Sequence, residues 1–161
     1  MWPGNFPDPA ATVAALLRGV RPGGTVALLS SGYYRATFLP GHARLELLVR
    51  LASFRRWNLP ADGPHHHDRA LAWLLAAGAT DTTVRVFPRT GFANEPAVAA
   101  YLTGTVWPEL RASAAEQGRE VGLTDDDLAD LTTPGDSRHA PAQPGHHIVQ
   151  PAVLVTGRRP A

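Results

Sequence analysis

Four clusters in this chain have residue types that could do chemistry: His65-His66-His67-Asp68, His146-His147, Asp125-Asp126-Asp127 and Tyr33-Tyr34. A metal ion needs ligands that converge on one point. Adjacent residues at a helix start diverge by about 100° each, and no HExxH spacing is present. The His run therefore reads as the lead-in to a helix with Asp68 in its first turn. The three Asp read as acids placed at the positive end of a helix dipole. On a strand, His146 and His147 would point to opposite faces. Any of the seven His could act as a general base, and the spacing assigns that role to none of them. No metal site and no catalytic residue are assigned.

The missing residue types exclude more. All fifteen basic residues are Arg, so Lys-based Schiff-base and phosphate-clamp chemistry are excluded. There is no Cys for disulfides or thiolate metal sites. No GxSxG string supplies a nucleophile elbow. Tyr33 and Tyr34 have two readings. They follow an apolar strand on the carboxyl edge where open α/β sheets bind ligands, and a Tyr there can stack and offer its hydroxyl. They could equally cap the core beneath the next helix.

The elements that would position these residues can be read from punctuation and periodicity. Asp8 is an N-cap with Pro9 at the first helical position, and Ala10, Val13, Leu16, Leu17 and Val20 mark one face. Arg21-Pro22-Gly23-Gly24 stops this helix and turns into the strand Thr25 to Ser30. That strand is apolar without alternation, as one covered on both faces would be. A second helix is expected from His42 to Trp57, and a third from about His66 to Ala77, ended by Gly78. Thr82 to Phe87 alternates and reads as a half-buried strand. Asn94 should cap a helix starting at Glu95, with Pro108 breaking or kinking it, or a second helix restarting there and running to about Gly118. Thr124 with the three Asp is a helix start. Ile148 to Thr156 is the last strand, with Pro151 predicting a bulge or a late start near Ala152. Trp73 and Trp107 read as packing residues. Arg55-Arg56 and Arg158-Arg159 read as solvated.

The order is helix, strand, two helices, strand, helices, strand, which gives an α/β class with about three strands. The 161 residues, 44% of them hydrophobic and 18% charged, allow one domain with a usable core. A net charge of +1 gives no electrostatic case for nucleic acid or an anionic membrane. No apolar run approaches membrane-spanning length and no signal-peptide pattern opens the chain, so a cytoplasmic location is expected.

A helix, a Pro-Gly-Gly turn and a buried strand make the second half of a βαβ crossover. Arg21 to Leu29 resembles the fifth-strand unit of class I S-adenosylmethionine-dependent methyltransferases of the small-molecule kind. His67 to Leu74, followed by Ala77 to Asp81 and Thr83 to Val86, is similar to that family's last helix and sixth strand. Val153 to Arg159 is similar to its seventh, antiparallel strand, and Trp2-Pro3-Gly4 to the segment after its fourth strand.

The resemblance implies an incomplete Rossmann-like methyltransferase sheet, strands five to seven with a terminal antiparallel strand, over residues 1–161. Helical substrate-covering inserts would occupy 40–57 and 94–131. It implies transfer of a methyl group from S-adenosylmethionine to a small-molecule acceptor. Trp2 would contact the cofactor, and Asn5, Phe6, Tyr33 and Tyr34 would contact the substrate. The chain departs from the family in having no GxGxG loop and no ribose-binding acid. It therefore reads as a truncated, carboxyl-terminal portion that should not hold the cofactor tightly or be active alone. The partner expected is a missing amino-terminal half, or a second copy meeting the open sheet edge. The alternative is a non-catalytic binding or pairing module.

Overall fold

The computed structural model describes residues 6–31, 36–60, 63, 65–132 and 143–161. In chain order the elements are α1 (Pro9–Gly19), β1 (Thr25–Ser31), α2 (Ala43–Arg56), α3 (Ala70–Ala76), β2 (Thr80–Phe92), α4 (Pro96–Tyr101), α5 (Trp107–Gln117), α6 (Asp125–Thr132) and β3 (His147–Arg158). The class is mixed α/β. The strands form one sheet in the order β1-β3-β2, and β3 runs antiparallel to β1. The chain divides into two compact units. One comprises Met1–Gly32, Leu59–Pro88 and Pro151–Ala161; the other comprises Tyr33–Asn58 and Arg89–Gln150.

In the first unit, α1 starts where its sequence signals place it. Asp8 Oδ1 accepts from the Ala11 N–H at 2.9 Å, and Pro9 fills the first helical position. The helix leaves through the Arg21–Gly24 turn, closed by a 2.8 Å bond from the Gly24 N–H to the Arg21 carbonyl. Gly23 sits at φ +73°, a conformation a side chain would strain, with Pro22 fixing the preceding φ. Arg158 is exposed, as expected, and Arg159 is half-buried; both are tied to this turn. Arg159 Nη1 donates to the Arg18 and Val20 carbonyls at 2.6 Å each, and Arg158 Nε to the Gly23 carbonyl at 2.8 Å. These are carbonyls left over at the end of α1, where a cation is favourable.

β1 and β3 pair in unbroken register from Thr25↔Arg158 to Ser31↔Ala152. Val26 and Leu28 of β1 and Val155 of β3 share one buried cluster with Val13 and Leu17 of α1 and with Trp73 and Leu74 of α3. Both helices therefore cover the same sheet face. The expectation that β1 is covered on both faces is overturned. Its burial alternates, and Leu29 on the other face is 52% exposed. A run of apolar residues does not say how many faces are covered when the outward positions are simply left open. On that open side Thr83 and Thr156 join their hydroxyls at 2.7 Å.

β2 is longer than the alternation suggested. It continues through Pro88 because it lies at the sheet edge, where a proline's missing N–H costs no ladder bond. α3 follows a single 3₁₀ turn at His67–Arg69 and ends at Gly78, whose N–H bonds the Leu75 carbonyl at 3.0 Å.

In the second unit, α2 packs along α5. Leu45, Val49 and Ala52 of α2, and Leu110 and Ala114 of α5, are buried. Arg56, also expected in solvent, bridges to two acids two turns apart on one face of α5: Glu109 at 2.7 Å and Glu116 at 3.0 Å. Arg55 pairs with Glu120. Pro108 does not break the helical run. A π turn at Leu102–Val106 precedes it and leaves the proline in the first turn of α5, where its missing N–H is tolerated. Trp107 is buried, as Trp73 is in the other unit. Among the described residues no helix is long and apolar enough to cross a membrane.

Candidate ligand cleft

Within the second unit, the end of β2 and the approach to β3 are held together by main-chain bonds. The Ala93 N–H donates to the His146 carbonyl at 2.9 Å, and the His146 N–H to the Gln143 carbonyl at 3.2 Å. Glu95 closes the turn after β2. Its Oε1 accepts from the Phe92 N–H at 2.9 Å, and its own N–H donates to the Phe92 carbonyl at 3.0 Å. Glu95, not Asn94, is therefore the N-cap of α4, and Pro96 opens the helix. Asn94 is left exposed.

A cleft of about 510 Å³ lies between Phe92-Ala93-Asn94 on one side and the 143–146 turn on the other. A second hollow of about 450 Å³ shares Phe92 and adds Glu95 and His147. Phe92 is 58% exposed, with the His147 ring 6.5 Å away in a T-shaped contact. Gln143 Oε1 lies 3.2 Å from His42 Nε2. With the imidazole donating, the Gln143 amide is held so that its NH₂ group faces other acceptors. The cleft floor is His146, buried against the Trp107 ring at a centroid distance of 5.6 Å. His146 and His147 thus differ in exposure as opposite-pointing neighbours should. Beside the cleft, the Tyr101 hydroxyl donates to Gln150 Oε1 at 2.8 Å, and the Arg89 guanidinium lies 4.3 Å over the Tyr101 ring.

Of the residues singled out from the resemblance, Trp2, Asn5, Tyr33 and Tyr34 lie outside the described residues. Phe6 is described and is half-buried just ahead of α1. At the His run, His65 is exposed, and His66 Nδ1 accepts from the Asp68 N–H at 3.2 Å. Among the described residues no three His, Asp or Glu side chains gather around a common point. Asp127 acts as a cap and an ion-pair partner. It accepts from Thr124 N–H and from Arg44, and these bonds hold its carboxyl down at about 2.

Sequence reasoning passed over Phe92, Asn94 and Gln143. Asn94 carried only the expectation of a helix cap. The available signal was a pair of turn-forming strings, Ala93-Asn94 directly after the strand-ending Phe92 and Gln143-Pro144-Gly145.

No protein-family model matches the chain, and no curated protein matches it. Among solved structures, it is similar to a crystal structure from Bacillus halodurans C-125 described as a "putative methyltransferase". The identity is 14% and the TM-score 0.46, over 99% of this chain. The chain spans 66% of that structure's length.

Proposed function

We propose that this chain is the carboxyl-terminal portion of a methyltransferase-like protein that transfers a methyl group from S-adenosylmethionine to a small molecule. Its sheet would correspond to the family's strands five to seven. The observation that carries this reading is the pairing of β3. The final strand runs antiparallel to β1 over seven residue pairs, and β1 is itself the strand of a helix–Pro-Gly-Gly–strand unit. That arrangement supports the likeness drawn from Arg21 to Leu29 and from Val153 to Arg159. The helices within 40–57 and 94–131 would cover the acceptor.

The described residues do not fit the cofactor. The vicinal hydroxyls of a ribose need a carboxylate acceptor at the ligand edge of the sheet. In the first unit the described carboxylates are Asp8, Asp68 and Asp81. Asp8 is used by the start of α1, Asp68 sits in the 3₁₀ turn, and Asp81 lies 3.8 Å from Arg158. None follows β1. On this reading the cofactor is held by a part of the protein outside the described residues.

A second reading is favoured by β1 itself. Among the described residues it is paired on one side only, and its sequence Thr-Val-Ala-Leu-Leu-Ser-Ser carries no charge or proline to protect the other edge. A non-catalytic module that pairs through this edge, with an amino-terminal half or with a second copy, would need that chemistry.

One experiment separates the two. The protein is captured from its native cells with an antibody to the carboxyl-terminal region, weighed intact, and photo-crosslinked to labelled S-adenosylmethionine. The enzymatic reading expects label and a mass well above 17.2 kDa. Absence of label at 17.2 kDa would overturn it and leave the pairing module.

A further inference from the structure

We propose that the cleft between Phe92-Ala93-Asn94 and the 143–146 turn binds a flat, uncharged aromatic compound bearing a carbonyl or carboxamide group. Its volume of about 510 Å³ lies in the range of small-molecule sites. Phe92 supplies the apolar wall. Both its main-chain groups are bonded to Glu95, so its position is fixed, yet more than half of its surface is open to solvent. A fixed, exposed aromatic ring between two hollows is a stacking platform.

The polar side chains around it are the amides of Asn94 and Gln143 and the imidazole of His146. With the His42 imidazole donating to its Oε1, Gln143 presents its NH₂ donors, and Asn94 adds a second, exposed amide. Among the described residues no Arg, Asp or Glu lines this cleft. A carboxylate or phosphate would lose its water here with no arginine among the described lining residues to replace it. A ligand carbonyl accepting from the Gln143 amide, with its ring on Phe92, satisfies the donor and covers the apolar surface together.

The test uses the whole chain, with benzamide and benzoate as an isosteric neutral and anionic pair, read by ligand-observed NMR without S-adenosylmethionine. It is therefore independent of the methyl-donor reading. Benzamide should bind, with benzoate at least about tenfold weaker because its charge is uncompensated. Phe92→Ala should weaken benzamide by about tenfold, and Gln143→Leu by about fivefold through the lost hydrogen bond. Phe87→Ala, an equally exposed aromatic change in the other unit, should leave binding within about twofold. Phe92 and Gln143 are not core residues, and retained tryptophan emission confirms that each variant is folded. Absence of benzamide binding, equal binding of benzoate, or unchanged affinity in Phe92→Ala would each overturn the proposal.

Discussion

Replacing Asp127 by Asn should cost this protein stability at neutral pH and almost none in acid. Asp127 sits in the first turn of α6 with its side chain 12% exposed. Its carboxylate accepts four bonds: Arg44 Nη1 at 2.6 Å, Arg44 Nη2 at 3.0 Å, the Thr124 N–H at 2.8 Å and the Thr124 hydroxyl at 2.9 Å. Thr124 Oγ1 in turn accepts from the Asp127 N–H at 3.2 Å, which completes a reciprocal cap. The Arg44 bonds lower the carboxyl most. Burial opposes them, and the Thr124 bonds add to the lowering, which takes it from 3.8 to about 2.

A folded pKa below the unfolded one stabilises the protein above the unfolded value. That contribution is lost as pH falls from about 5 towards 2. A drop of nearly two units corresponds to about 2 kcal/mol. Arg44 is 61% exposed, so solvent screening reduces this to about 1–2 kcal/mol. Urea unfolding is followed by the emission of Trp57 and Trp107, both in the second unit. The gap between wild type and Asp127→Asn should be about 1–2 kcal/mol near pH 7 and less than half of that near pH 2. In a double-mutant cycle with Arg44→Met, the two losses should be less than additive near neutral pH. An equal gap at both pH values would refute the reasoning, because the loss would then come from packing and not from the ionised carboxylate.

Three further outcomes are expected. Gly157→Ala should destabilise by about 1–3 kcal/mol in thermal unfolding, since a Cβ there would lie 2.8 Å from that of Ala79 and 3.4 Å from Leu74. Ser113 is fully buried and its hydroxyl has no hydrogen-bond partner among the described residues, so Ser113→Ala should be neutral or stabilise by about 0.5–1 kcal/mol in the same measurement. On the pairing-module reading, Leu29→Arg, which places a charge on the open face of β1, should shift sedimentation towards the monomer, leaving the melting temperature within a few degrees.

The parts of the fold that were legible in the sequence are those fixed by local chemistry. Asp8 followed by Pro9, the Arg21–Gly24 turn, Gly78 and the Thr124–Asp127 cap each satisfy backbone groups within a few residues, so their residue types announce them. Proline was the weaker guide. Pro88 continues a strand because that strand lies at a sheet edge, and Pro108 follows a π turn that absorbs it; neither circumstance is visible locally. The arginines were misjudged for the same reason. Arg56 meets Glu109 and Glu116, and Arg159 meets Arg18 and Val20, only once segments 50 or more residues apart are packed together.

The candidate cleft follows this logic to its end. Its walls are 50 residues apart in sequence and are joined by one bond from the Ala93 N–H to the His146 carbonyl. Main-chain pairing of this kind carries no side-chain signature, so no motif could have announced it. What could be read was the residue that local rules do not explain. Thr124 and Asp8 are where capping requires them, whereas Phe92, at the last position of β2, remains mostly exposed after the chain has folded. A residue that neither local structure nor the core accounts for is the one to examine for binding.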